Sequence, residues 1–524
     1  MCVRKAKIIQ GSVFLTSILL SACGGVIPAG EPIVVPVPVQ TTTPVITSIG
    51  MDFYLTLPDN LYVSGLNLTP VTNKLIIAAA DATTGAVTFN GITTPFSVAS
   101  HSQTVVTLSP EVVLTSNEVV ESKGIHVTTL APVSVHVVSQ TTVSADGYMA
   151  LPTPGLGTQY YVMTTASARF NGSEFAIVAT QDNTTINITP SAAGLTKLAG
   201  IAFTVIMNKG ETYQVMNPAF ADMTGTLITS DKPVAVFGGH RCADIPSGTG
   251  YCDYLVEQLP AVSIWGKTHH TAPFSGRARY TVRMLAAQDG TTFTTLPASL
   301  IGTLNAGQFA DVILTGAAEI VSSNPVLVAQ FMHGYADDAA AKGDPSMVVV
   351  TPAEMGMTNA TFGVHGLPGT TTAFMNVVTE TSALSNLTLD NVAVIPANFT
   401  AMGGSSLYSV ATLSVTPGAH TLLGSAKLSA TVYDYGITSD AVSYVYPAAR
   451  ELSIPAPATT DPAVAPALCV NDDDDDGDGN GHENDEAHFD YECDDRDNSS
   501  DNTYHHHGHH GHHGDDNHGT AAHG

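Results

Sequence analysis

From about Gly50 to Tyr446 the chain alternates short apolar runs of Val, Ile, Ala and Thr with Gly, Asn and Asp, and no long segment keeps a helical period. That pattern predicts strands and turns throughout. One hairpin-like segment recurs: KLIIAAADATTGAVTF from Lys74, EFAIVATQDNTTINI from Glu174, RMLAAQDGTTFTTL from Arg283 and a divergent NVVTETSALSNLTL from Asn376. In the second copy Ile186 and Ile188 alternate with Thr185 and Asn187, as a strand with one buried face requires. A second signature closes each unit: GIHVTTLAPVSVHVV from Gly124, GTLITSDKPVAVFGG from Gly225, AEIVSSNPVLVAQF from Ala318 and HTLLGSAKLSATVYDYG from His420. Pro132, Pro233 and Pro325 are expected to open their strands, where a missing N–H costs least. Turn aspartates Asp81 and Asp182 each precede the closing proline by 51 residues, and Asp289 precedes its own by 36. The regularity predicts an all-β chain of four consecutive β-sandwich-like repeats, about residues 50–150, 151–265, 266–350 and 351–446, comparable to immunoglobulin-like units.

The flanks have other patterns. Residues 1–22 combine Arg4, Lys5 and Lys7 with an apolar run from Val13 to Leu20, too short to span a bilayer, and read as a signal peptide. The following Leu20, Ser21, Ala22 and Cys23 resemble a bacterial lipobox, so Cys23 is expected to be lipidated, and Gly24 in place of Asp favours the outer membrane. Several acyl chains on one cysteine anchor stably where one alone is marginal. Residues 23–47 then form a Pro-, Thr- and Val-rich stalk, in which Pro28, Pro32, Pro36, Pro38 and Pro44 favour polyproline II. The repeats occupy residues 48–450, a Pro/Ala linker covers 451–468, and residues 469–524 are an acidic, His-rich low-complexity tail expected to be disordered.

Within the repeats, GMDFYLTLPDN (Gly50 to Asn60), VVESKGIHVTTLAPVSVHVVSQ (Val119 to Gln140), ITSDKPVAVFGGHRCADIPSGTGYCDYLVEQLPAVSIWG (Ile228 to Gly266) and LVAQFMHG (Leu327 to Gly334) resemble the N-terminal domain family of IgGFc-binding proteins. The resemblance runs in order from about Gly50 to Tyr446. It implies a surface or secreted binding protein, and its family name points to an immunoglobulin or mucin-like ligand. The tail lies outside that pattern.

Among the cysteines, Cys2 leaves with the signal peptide, and in an oxidising envelope local pairing predicts Cys242 with Cys252 and Cys469 with Cys493. The first pair would staple the loop RCADIPSGTGYC, a contribution of roughly 2 to 3 kcal/mol. Loops on a rigid β scaffold carry recognition, which makes Asp244, Tyr251, Asp253 and Tyr254 the candidate ligand contacts, while the same loop also reads as a stapled connector between modules. His240, Arg241 and His333 stand at strand ends, where a metal site, an acid–base pair or simple junction hydrogen bonds all fit. Asp146, Glu257 and Asp344 read as loop acids or partners for Arg241 and nearby cations. No nucleophile elbow, zinc-protease helix, P-loop or dinucleotide fingerprint occurs in the repeats, which disfavours an enzyme.

In the tail, Asp472, Asp474, Asp476, Asn480 and Glu483 follow the spacing of a calcium loop, with Gly479 in place of the usual aliphatic residue. His505, His506, His507, His509, His510, His512 and His513 crowd imidazoles suited to Zn, Ni or Cu; a merely solvated acidic and protonatable end explains both runs equally. No cofactor is required by the repeats. Of 524 residues only 12% are charged while 44% are hydrophobic, enough apolar chain for several cores. Net charge is −28, of which residues 471–524 hold −16, so a nucleic-acid footprint lacks its cations. These features together predict a lipid-anchored, non-catalytic cell-surface module that binds an extracellular protein or glycan. The alternative is a divalent-metal-binding envelope lipoprotein that works through its tail.

Overall fold

A computed structural model describes residues 45–453 apart from 65, 67–70, 338–342, 404–406 and 437–441. The signal peptide, Cys23, the stalk, Cys469, Cys493 and the acidic and histidine metal candidates therefore lie outside the described residues.

Among the described residues the strands form four antiparallel sheets of seven, eight, seven and eight strands, one after another along the chain except that Val120–Glu121 of the first module edges the second sheet. Each is organised by one long strand: Ile125–Gln140, Leu227–Ala243, Ala318–Met332 and Gly418–Tyr435. In the first module the early half of Ile125–Gln140 pairs with Thr83–Phe89 and Gly50–Leu55, and the late half with Thr72–Ala79 and Ala145–Met149. The shared strand thus carries two half-sheets. Phe53, Leu55, Val87 and Val127 of one meet Leu75, Ile77, Leu108 and Val135 of the other in one core, which makes the module a folded-over sandwich.

The prolines have a different position from the expected one. Pro132, Pro233 and Pro325 lie inside the long strands, not at their starts. Each sits where the pairing with the module's first strand loses register: between Thr128 and Val133, Thr229 and Val234, and Val321 and Val326. The break is where a strand changes partners, so a residue without an N–H is tolerated there. The turn aspartates have a matching role. Asp182 accepts the Lys209 N–H at 3.0 Å and Asp289 the Ala306 N–H at 2.9 Å, tying two turns at one end of the module.

Continuous apolar runs such as EFAIVAT reflect burial on both faces. In Ser173–Ala179, Phe175, Ile177 and Ala179 enter the second module's core while Ala176 and Val178 enter the first module's. Leu285 of the third module likewise reaches the second core, Tyr433, Tyr435 and Val445 of the fourth reach the third, and Ile76, Val138 and Ala145 of the first reach the fourth. The cycle of shared cores is closed. Near the chain ends, Ser48 N donates to Arg450 O at 2.8 Å and Leu452 N to Ile46 O at 2.7 Å, fastening the first module to the last.

Four short strands meet in succession around the cycle: Ala145–Met149, Asp253–Leu259, Ser346–Val349 and Ser443–Pro447. Every residue in them is buried. Asp146 sits at this hub and takes one backbone N–H from each of the other three modules: Val256 at 3.2 Å, Met347 at 3.3 Å and Val445 at 3.4 Å. It is not a loop acid, and neither is Glu257, which accepts the Val349 N–H at 3.2 Å inside the same hub.

Candidate functional site

The Cys242–Cys252 disulfide closes a loop that leaves the long strand Leu227–Ala243 and returns as the hub strand Asp253–Leu259. Three modules hold it. Gly334 N of the third module donates to Ile245 O at 2.7 Å, and the Tyr62 hydroxyl of the first donates to Cys252 O at 3.0 Å. From the second module, the Ser167 hydroxyl donates to Asp244 Oδ1, while Gly248 N donates to Asp244 Oδ2 at 2.5 Å.

These bonds relocate most of the expected ligand contacts. Asp244 is fully buried as the internal cap of the loop. Asp253 and Tyr254 are also fully buried because they begin a hub strand that has no solvent face. Burial, with Asp344 close by, pushes the Asp253 carboxyl well above the usual carboxylate range, and it accepts the N–H groups of Ala145 and Tyr254 at 3.1 and 2.8 Å. The Tyr254 hydroxyl is spent on Pro58 O at 3.1 Å. Asp253 and Tyr254 act as positioning groups away from solvent, whereas Asp244, although buried, borders the crevice between modules two and three.

Tyr251 differs. It is 61% exposed and has a left-handed backbone with φ of 63°, a conformation unusual for a bulky residue, next to the disulfide. Its ring meets Tyr335 of the third module edge to face, with centroids 5.4 Å apart. The other side of the loop, Ile245, Pro246 and Ser247, borders a crevice of about 320 Å³ between modules two and three, floored by Thr281, Arg283 and Phe331. Arg283 pins that floor. Its guanidinium donates to Asp311 and Asp222 at 2.7 and 2.6 Å and to Thr164 O at 2.7 Å, and lies 4.0 Å over the Phe309 ring. Tyr335 and Arg283 were not legible as site residues, although Tyr335 directly follows the MHG end of the closing signature.

The histidines at the strand ends are internal. His240 accepts the Cys242 N–H on Nδ1 at 3.0 Å, and burial lowers its pKa to about 3. His333 lies between the Thr281 hydroxyl, 2.8 Å from Nε2, and Asp337, 2.6 Å from Nδ1, while Arg279 holds Asp337 by two bonds of 2.7 and 2.9 Å. The order hydroxyl, imidazole, carboxylate is that of a hydrolytic triad. The neighbouring backbone donors are already committed, Gly334 to Ile245 and Gly248 to Asp244, and Arg277 clamps the carbonyls of His333 and Gly334 at 2.7 and 2.9 Å. The arrangement fixes the loop's docking partner in place. Arg241 pairs with Asp59 at 3.5 Å, and Asp344 is buried with its carboxyl raised to about 8 by burial. Among the described residues no cluster of three or more His, Cys, Asp or Glu is placed to hold a metal ion.

Comparison with known proteins gives the scaffold its family. Residues 146–433, more than half of the chain, match the family model for IgGFc binding protein. The human IgGFc-binding protein is 28% identical over 272 residues, covering 50% of this chain; the chain spans about 5% of that relative's length. A solved structure of a bacterial ice-binding adhesin overlaps 60% of this chain and 98% of its own, at 10% identity and a TM-score of 0.12, too low to bear on the fold. The family match covers most of the closed cycle, including the hub acid and the disulfide loop, and the chain belongs to the IgGFc-binding protein family.

Proposed function

We propose that this protein is a non-catalytic binding module on the bacterial cell surface, carried by a lipidated Cys23 on a proline-rich stalk in the outer membrane, and that it takes a protein ligand of immunoglobulin or mucin type at the disulfide loop. The single observation that carries the reading is Tyr251: a largely exposed aromatic ring, left-handed in backbone, beside a disulfide and packed edge to face on Tyr335 of the next module. A rigid tyrosine presents a large contact area with little conformational entropy left to lose, which is how anchors at protein interfaces act. Family membership supports the binding role, and the human relative's name supplies the first probe. The alternative is a divalent-metal-binding lipoprotein whose tail would hold Ca through Asp472, Asp474, Asp476, Asn480 and Glu483, or Zn or Ni through the histidines.

The test measures binding of the full chain to human IgG Fc and to purified mucin by surface plasmon resonance. Tyr251→Ala and Tyr335→Ala are each expected to weaken the bound probe at least tenfold, equivalent to about 1.4 kcal/mol. Chelation is expected to leave that binding unchanged. Binding that survives both substitutions moves the site away from the loop; loss on chelation transfers the role to the tail.

A further inference from the structure

Two junctions of the cycle carry crevices that the disulfide loop does not touch. Between modules one and two, a crevice of about 430 Å³ is lined by Asn90, Ser122 and His126 from the first module and by Asp182 and Lys209 from the second. Between modules four and one, a crevice of about 370 Å³ is lined by Asn359, Asp390 and Asn391 from the fourth and by His101 from the first. The two are built from the same parts. Asn90 lies in the turn joining Thr83–Phe89 to Ile92–Val98, and Asp390 and Asn391 lie in the turn joining Thr388–Leu389 to Val392–Ala393, the same outer hairpin of their sheets. Facing them, Lys209 lies in the turn between Phe203–Met207 and Thr212–Met216, and His101 in the matching turn between Ile92–Val98 and Ser102–Leu108. In both crevices the outer turn is left-handed at residues other than glycine: φ is 49° at Asn90, 52° at Asp390 and 64° at Asn391. Short polar side chains tolerate that conformation, and it places their amides and carboxylates at the rim.

The chemistry of the linings is specific. Amides, hydroxyls and imidazoles are combined with carboxylates that accept hydrogen bonds, and Lys209 is the one cation among the lining residues. Asp52 faces His126 at 3.0 Å, Asp390 faces His420 at 2.7 Å, and Lys209 lies beside Asp182, whose Oδ1 holds its backbone N–H. A net anion finds no surplus cation here, and an apolar ligand would strand the polar rim. Vicinal hydroxyls, each a donor and an acceptor, match such a rim, and Ala80, Ala419 and Leu423 offer the second crevice C–H surface. Volumes of this order suit one or two sugar rings.

We propose that these two junction crevices are paired sites for neutral saccharides, so that the module is bivalent toward a glycan independently of the disulfide loop. Bivalence raises avidity for a repeating polymer without any new contact.

The test uses the full chain and three neutral disaccharides, lactose, cellobiose and N,N′-diacetylchitobiose, with 3′-sialyllactose as the charged comparison. Saturation-transfer NMR and titration calorimetry are expected to show at least one neutral disaccharide binding at two sites per chain, with a dissociation constant of about 1 mM. Asn90→Gly and Asn391→Gly keep the left-handed turns and remove only the amides. Each is expected to weaken its own site at least about fivefold, the loss of one or two hydrogen bonds, and to leave the other site intact. Circular dichroism melts check that both variants fold. The proposal is overturned if none of the three neutral sugars binds, if only sialyllactose does, or if a folded double variant binds as tightly as the parent.

Discussion

Asp146→Ala tests whether the hub holds the cycle together. The parent carboxylate receives N–H groups from Val256, Met347 and Val445, each on a different module. Burial pushes its pKa up, and bonds from these three and from Gly147 pull the other way. Alanine leaves three buried donors without an acceptor. At 3.2 to 3.4 Å the bonds are long, so each lost acceptor is set at the low end of the usual penalty, about 1 kcal/mol or slightly more. Together they give about 3 to 4 kcal/mol, a large share of a typical domain's roughly 5 to 15. Asp146→Asn keeps the shape and one oxygen. That oxygen turns toward the Val256 and Met347 pair and places the amide N–H₂ against Val445, a loss of about 1 to 2 kcal/mol. Urea unfolding of the three proteins, followed by tyrosine fluorescence and far-ultraviolet dichroism, is expected to rank them parent, Asn, Ala. A cost below about 1 kcal/mol for alanine, or an asparagine variant less stable than the alanine one, would refute the hub argument.

Two further predictions follow from buried groups. The Asp344 carboxyl is raised by burial from 3.8 to about 8, so the stability it contributes is complete below the unfolded value and is lost as pH rises toward 8. Asp344→Asn, which cannot ionise, should therefore gain on the parent steadily through that window in melts taken at successive pH values; a constant difference removes the assignment. The buried His136 and His365, lowered to about 4 by burial, act in the opposite sense and cost both proteins stability on acidification below 6.5. Replacing Cys242 and Cys252 together by serine reopens a loop of sequence separation 10, with an expected cost of about 3 kcal/mol. Chemical denaturation reads that cost, and Fc or mucin binding should fall with it, because Tyr251 loses its support; unchanged binding would show that the loop only connects.

The sequence by itself determined the strands, their fourfold repetition, the family and the local disulfide partner. These depend on spacing along the chain: a period of two, a recurring turn aspartate and a closing proline at a regular distance from it, whose place inside a long strand only the structure showed. The alternation pointed to one buried face, whereas in KLIIAAA both are covered, since Leu75 and Ile77 enter one core and Ile76 another. What covers the second face is a module distant in sequence, and no local pattern encodes it. Only the tertiary structure decided that the repeats close into a cycle, and closure reversed the meaning of the acids. Asp146, Asp253, Glu257 and Asp344 look like solvent-facing loop residues in the chain and are buried where modules meet. The loop that carries Asp244 shows the same division. Its disulfide followed from a short separation, while the choice of Tyr251 as the exposed residue depended on contacts from three modules that exist only once the cycle has closed.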